Sequence, residues 1–361
     1  MAKKIKIAIV GIGNCASSLI QGIYYSKNKN NLPGVLYDDI GDYKIKDIEV
    51  VAAFDIDERK VGKDVSQAIF QKPNNTRVFF DKIPLSGVKV LRGPTLDGNP
   101  KIMDNFPEEI RFKESKIKPV NVTEVLIKTK PDLLINYLPV GSEKATKYYV
   151  NSCLKAGVSF INAIPVFICS NKKYSKMFED RGLVCLGDDI KAQVGATIVH
   201  RVLTNLFKER GVELKRTYQI NFGGNTDFLN MLERGRLKSK KTSKTEAVRS
   251  QLENPLREED IHIGPSDFIP WLKDNKVCHI RMEGEQFGGT PIKLDLKLSV
   301  EDSPNSAGVM VDTIRCAKLA LDRKLKGYLD EVSSFAFKHP INQYTDDMAY
   351  KLVKEFIYNE K

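Results

Sequence analysis

Apolar positions alternate with polar ones in a way that names most elements. Positions 7–10 (IAIV) form an uninterrupted apolar run, the pattern of a central parallel strand covered on both faces. Further strands are predicted at 48–54, 88–91, 132–137, 159–164 and 183–186, and helices at 61–70, 120–129, 143–156 and 192–210. Such regular alternation implies a doubly wound parallel sheet. After Gly211 the pattern changes. Alternating stretches at 218–222, 278–283 and 293–300 predict an open, mainly antiparallel or mixed sheet, with a basic helical stretch at 228–251 before the second of them. A last helix, 306–325, is expected to return to the first sheet. The expected division is 1–195 with 303–361 as the doubly wound, Rossmann-type parallel-sheet domain, and 196–302 as a second, α+β domain.

The turn after the first strand carries the first candidate chemistry. In Gly11-Ile12-Gly13-Asn14-Cys15-Ala16, Gly11 permits the tight turn and Gly13 lets a diphosphate approach the backbone. Ala16 lets helix pack on strand, and the diphosphate falls on the helix N-terminus. A purely structural strand-helix turn is the alternative. Asp55, ending the second strand, offers two oxygens to a ribose diol, although it lies farther from the glycines than the compact fingerprint has it. Asp57 is its rival. Leu138, Pro139 and Ser142 lie in a loop at the carboxyl end of another strand, where the nicotinamide side belongs.

Composition narrows the class. A chain of 361 residues with 42% hydrophobic positions suits two domains, each with its own core. No signal-like or membrane-spanning run is found, so a cytoplasmic protein is expected. The six cysteines and four histidines show neither CxxC nor HExxH spacing, which favours free thiols over a His/Cys metal site. A net charge of +11 fits a solvated lysine-rich surface or an anionic substrate. No nucleic-acid motif accompanies it, and neither nucleic acid nor membrane is expected as a partner.

Lys240 and Lys244 are four apart and share a helical face, with Arg236 a turn earlier. Clustered ammonium groups depress one another's pKa, freeing one as a base while another binds phosphate. A solvated basic helix is the plainer alternative. Gly223-Gly224-Asn225-Thr226-Asp227 and Asp302-Ser303-Pro304-Asn305-Ser306 are turn-forming clusters after strands, and Asp302 could equally be a helix cap.

Taken together and in order, GIGNCASS, LPVGSE, GDDIKAQVGAT, FGGNTDFLNM, LKSKKTSK, HIGPSDF and EDSPNSAG resemble the inositol-1-phosphate synthase family in its short bacterial and archaeal form, across nearly the whole chain. Thr226 departs from that family's GNND. The resemblance implies an isomerase that turns glucose 6-phosphate into inositol 1-phosphate with tightly held NAD. The sugar is oxidised at C5, enolised at C6, closed on the C1 aldehyde and reduced again. It also implies catalytic Lys240, Lys244, Lys276, Lys338, Asp189 and Asp302, and a cofactor site of Gly11, Gly13, Asn14, Cys15, Ala16, Asp55, Leu138, Pro139, Ser142, Asp188, Asn225 and Asp227. A divalent or monovalent cation is a further candidate, and the implied assembly is a homotetramer. Two rivals remain at this stage: an NAD-dependent dehydrogenase of a phosphorylated sugar, and a non-catalytic NAD-sensing protein that binds nucleic acid through the lysine run.

Overall fold

In the computed structural model, residues 3–29, 32–236, 238–252, 256–264 and 267–358 are described, without the side chains of 28, 238, 240 and 241. The chain begins β1 (Ile5–Val10), α1 (Asn14–Tyr25), a small hairpin of β2 (Asp39–Ile40) and β3 (Tyr43–Lys44), β4 (Ile48–Asp55), α2 (Val65–Ala68) and β5 (Val90–Arg92). It continues α3 (Val122–Thr129), β6 (Leu133–Asn136), α4 (Glu143–Ala156), β7 (Ser159–Asn162), α5 (Lys172–Glu179), β8 (Val184–Leu186) and α6 (Ala196–Glu209). Then follow β9 (Glu213–Gly223), α7 (Thr226–Asn230), α8 (Lys238–Arg249), β10 (Ile261–Ile263), β11 (Asp267–Phe268), β12 (Asn275–Gln286) and β13 (Thr290–Glu301). The chain closes with α9 (Asp302–Asp322), β14 (Gly327–Tyr328), α10 (Asp330–Ala336) and α11 (Asp346–Tyr358).

Seven strands form a sheet in the order β14-β8-β7-β6-β1-β4-β5, parallel throughout. The strand order reverses between β1 and β6, and a crevice opens there at the carboxyl ends of the strands. The period of two explains why both faces are covered. Ile7 and Ile9 point into a core shared with Leu19 and Ile20 of α1 and Met310 and Ile314 of α9, while Ala8 and Val10 point into one shared with Leu126, Tyr149 and Phe160.

The second sheet runs β10-β9-β12-β13, with β11 also on β9. The long pairs β9/β12 and β12/β13 are antiparallel and the short ones parallel, which makes the sheet mixed. Cys278, Ile280 and Met282 of β12 meet Ala196 and Phe207 of α6. Among the described residues no helix is long and apolar enough to cross a membrane.

Several expected elements differ in their bounds, three of them for reasons visible in the local structure. The helix expected at 61–70 shrinks to α2, because Gly62 takes a left-handed φ of +87° and Asp64 then caps a fresh start by accepting from the Ser66 amide. The basic stretch 228–251 breaks between α7 and α8. There Arg236 is drawn off the helix course to donate to the carbonyls of Val140 (3.0 Å) and Asp97 (2.8 Å). The last helix starts four residues early, at Asp302.

Candidate functional site

One cavity opens at the β1/β6 reversal and reaches across to the second sheet. Its wall includes Gly11, Gly13, Asn14, Cys15, Asp55, Leu138 and Pro139 on one side, and Asp189, Asn225, Asp227, Lys244, Lys276, Asp302 and Lys338 on the other.

The glycine turn is shaped for close approach. Gly11 has φ +86°, and a Cβ there would stand 2.5 Å from the Tyr137 carbonyl oxygen. Gly13 has nothing within 4 Å of its would-be Cβ, and no side chain caps the first turn of α1, whose amides are left to whatever settles on them. Asp55 accepts from the amides of Ile12 (2.7 Å), Ile56 (2.7 Å) and Asp57 (2.8 Å), and Lys60 Nζ stands 3.8 Å away. Three of the carboxylate's roughly four lone-pair positions are thus taken by backbone, leaving room for one strong bond from a ribose hydroxyl. Asp57, the rival, is fully buried and holds Arg59 through both its oxygens (2.8 and 2.5 Å).

The opposite wall is built from ion pairs. Lys276 Nζ donates to Asp302 Oδ1 at 3.1 Å, and Lys338 Nζ to Asp189 Oδ1 at 2.7 Å. Burial alone would lower the pKa of Lys276, but the charge and hydrogen bond of Asp302 outweigh it and raise it, so Lys276 stays an ammonium. Asp189 takes a left-handed φ of +62°, a region non-glycine residues seldom visit, although aspartate does so more readily than most. Its backbone bonds to Ile164 and Lys338 hold it there, and its second oxygen accepts from Ser243 Oγ (2.5 Å) on α8. That bond seats α8 and brings Lys244, the next residue, to the wall. Lys240 lies on the same helix, but its side chain is outside the described residues. Asp302 is not a cap: Glu301 holds the N-cap position, and the Asp302 carboxylate turns to Lys276.

Four expected residues stand off the wall. Ala16 is in the core under α1. Ser142 is buried, donates to the Pro139 carbonyl (2.6 Å) and receives Arg236. Asp188 accepts from the Asn162 side chain, the Ile168, Cys169 and Ser170 amides and the Ser170 hydroxyl, and so ties down the 166–170 turn rather than facing a ligand. Arg236 likewise serves loops, and burial lowers its pKa. A lysine outside the expected set has a strongly depressed pKa. It is Lys191, pushed down to about 7 by burial with Arg201 nearby, and it lies behind the wall.

The fold also brings in residues the sequence did not single out. Lys60, Phe112, Tyr149 and Gln219 line the cavity. Asp274, buried beside it, joins Asn14, Asn225 and Ser303. A buried lysine such as Lys60 leaves no periodic signal, and Asp274 reads as an ordinary turn aspartate.

Residues 195–303 match the family model described as Myo-inositol-1-phosphate synthase. An inositol-3-phosphate synthase of Mycolicibacterium smegmatis is 49% identical, with 99% of this chain and 98% of its own covered. The chain belongs to the myo-inositol-1-phosphate synthase family. An inositol-3-phosphate synthase of Corynebacterium glutamicum is also 49% identical, over 98% of both chains. Among solved structures, a myo-inositol-1-phosphate synthase-related protein from Thermotoga maritima superposes with a TM-score of 0.81 at 25% identity, over 98% of each chain. The segment that matches the family model runs from the start of α6 to the start of α9 and carries Asp227, Lys240, Lys244, Lys276 and Asp302.

Proposed function

We propose that the protein is an inositol-3-phosphate synthase, an isomerase that closes glucose 6-phosphate into inositol 1-phosphate. The observation that carries this reading is the convergence of the Lys276–Asp302 and Lys338–Asp189 pairs, with Lys244 and Asp227, on the cavity that the glycine turn opens. A nicotinamide dinucleotide fits the other half. Gly13 leaves clear space, the α1 amides are uncapped, and Asp55 keeps an acceptor position for the ribose. When bound, NAD supplies reversible hydride acceptance, so net redox is zero.

The chain's own residues supply charge and geometry. Ring closure through an enolate and an alkoxide develops negative charge on oxygen. An ammonium that is fixed before the reaction and shielded from water stabilises it without reorganising. Lys276, kept charged by Asp302, suits that task and leaves the C6 proton to another lysine of the cluster. Lys338, held by Asp189, lies on the same wall and is a second donor for phosphate or alkoxide oxygen. For the expected cation, Asp189 and Asp302 are the protein oxygens at hand. Among the described residues no group of three or more His, Cys, Asp or Glu side chains could hold a metal ion, so substrate oxygens and water would supply most of the shell. We assign 1–195 and 303–361 to the cofactor domain and 196–302 to the catalytic one, because α9 leaves the second sheet and packs on α1 of the first. Assembly as a homo-oligomer, expected to be a tetramer, is assigned to the β12–β13 side of the second sheet.

Incubation with glucose 6-phosphate and NAD, followed by phosphorus NMR and NADH absorbance, tests the reading. Inositol phosphate without net NADH is expected, whereas stoichiometric NADH would replace the isomerase with a dehydrogenase. Lys276→Ala is expected to lower turnover by about a hundredfold or more, the usual loss for one preorganised oxyanion donor. Its NADH affinity should stay within about threefold, since the residue faces substrate charge.

A further inference from the structure

Asp274 stands in the turn before β12, two residues ahead of Lys276, and is 1% exposed. Its Oδ1 accepts from Asn225 Nδ2 (2.8 Å), Ser303 Oγ (3.0 Å) and Asn14 Nδ2 (3.1 Å), and its Oδ2 from the Ser303 amide (3.2 Å). Its backbone carbonyl accepts from the Asp302 amide (3.0 Å). The three donors come from separate parts of the chain. Asn14 is the first residue of α1, at the turn where the diphosphate would lie. Asn225 caps α7 through the amides of Asp227 and Phe228, and so sets where Asp227 points. Ser303 adjoins Asp302, the partner of Lys276.

A second strand of bonds runs parallel to the first. Asn14 Oδ1 accepts from the amides of Asn75 (2.8 Å) and Thr76 (3.1 Å), and Asn75 Nδ2 donates to the Gly224 carbonyl (3.0 Å). Side chains around one buried carboxylate therefore join the cofactor turn to the substrate wall, beside the Asn75 link and the contacts of Cys15 with the hydroxyls of Ser303 (3.8 Å) and Ser306 (3.9 Å). Burying that carboxylate is costly, and its pKa is pushed up to about 6, by burial first and by the Asp302 charge second. Asp274 itself does not line the cavity, so its cost is not offset by contact with a ligand.

We propose that Asp274 is a positioning residue that couples the two ligands: occupation of the glycine turn fixes Asn14, and through Asp274 fixes Asn225, Ser303 and the Lys276–Asp302 pair, so dinucleotide and sugar phosphate bind cooperatively. The proposal rests on the inositol synthase reading of the cavity. Linkage requires the coupling to be reciprocal, and couplings of this kind typically amount to about 5–150-fold in affinity. Donors that share one acceptor act as a unit, so removing the acceptor should weaken the coupling by more than removing any single spoke, with the Asn75 route left to carry the remainder.

The test uses NADH with glucose 6-phosphate, a pair that cannot start a reaction beginning with oxidation of the sugar. The Kd of NADH is read by its fluorescence, alone and with saturating glucose 6-phosphate. Wild-type protein is expected to bind NADH at least about fivefold tighter with the sugar phosphate present. Asp274→Asn keeps the shape but sets an amide donor among donors, and its ratio is expected to fall to less than half the wild-type ratio. Should that variant not fold by circular dichroism, Ser303→Ala, which removes one spoke, is read in the same way and should give an intermediate ratio. A folded Asp274→Asn or Ser303→Ala protein with the wild-type ratio overturns the proposal, as does wild-type protein that binds NADH indifferently to the sugar. Wild-type protein that binds no NADH overturns the cofactor reading, and this inference with it.

Discussion

Gly11 and Gly13 stand two residues apart in one turn, and the structure gives each a different reason to be glycine. At Gly11 a side chain meets both a positive φ and the Tyr137 carbonyl, whereas at Gly13 the φ is −88° and the space ahead is open. Gly11→Ala is therefore expected to destabilise the fold by about 2 kcal/mol or more, from backbone strain plus contact. Gly13→Val should change stability by less than about 1 kcal/mol yet weaken NADH binding at least about tenfold, because the side chain fills the diphosphate's place. Thermal unfolding and NADH titration of both variants separate the two. A Gly13→Val protein that binds NADH normally would make the turn merely structural. The turn was legible from sequence because all its parts are neighbours: strand, two glycines, small residue, helix. Asp188 and Asp189 are neighbours too, yet only one reaches the cavity. Which carboxylate turns inward is decided by Asn162 and the 166–170 turn on one side and by Lys338 and Ser243 on the other, contacts that exist only after folding.

Among the elements, β9 shows most clearly what periodicity leaves out. Its partner β12 buries Cys278, Ile280 and Met282, as alternation predicts, but β9 buries Thr217, Gln219 and Asn221. The polar ladder is closed by His200 of α6, whose Nε2 meets Thr217 Oγ1 at 2.9 Å and whose Nδ1 meets Gln219 Oε1 at 3.3 Å. A hydrophobicity pattern therefore caught only five residues of an eleven-residue strand. Gln219 also lines the cavity, so the ladder supports the site from behind. Burial lowers the His200 pKa to about 4 from 6.5, which keeps it neutral in the folded protein. Between those values the unfolded chain binds a proton that the folded one refuses. Stability from His200 is thus fully present above about pH 6.5 and is lost as pH falls towards 4, with a slope approaching about 1.4 kcal/mol per pH unit. Compared with His200→Gln, which cannot titrate, the wild-type advantage in unfolding free energy should shrink by roughly 2–3 kcal/mol from pH 7 to pH 4. Denaturant titrations of both proteins at pH 7, 5.5 and 4 measure this, and parallel pH profiles would show that His200 does not titrate in the way its burial demands.

For the whole molecule, the parallel sheet is complete in itself, with a helical layer on each face, and the second sheet is not. Its outermost strand β13 is twelve residues long and has no neighbour beyond it among the described residues. On its outer face Lys293, Asp295 and Lys297 are exposed, but Ile292, Leu294, Leu296 and Leu298 on the other face are only half-buried. Val202 and Leu206 of α6, the helix over that sheet, are exposed as well. An edge strand that long, with one apolar face left partly open, is the kind of surface natural proteins either cover or break up with charge, and here charge guards one face alone. A second copy of the chain is the occupant that matches the expected homo-oligomer, and a stable contact of that kind needs about 800 Å2 from each partner. The sequence signalled the strand, since its alternation is regular. It could not signal the gap beside it, because whether an apolar row is covered depends on how far α6 reaches across the sheet. Leu296→Asp sets a charge in the middle of the apolar row without touching the cavity wall. Light scattering coupled to size exclusion is expected to show a wild-type oligomer and a smaller species for the variant, with NADH binding to the glycine turn unchanged. If the variant keeps the wild-type mass, the oligomer is built on some other surface, and the open row on β13 is not its seam.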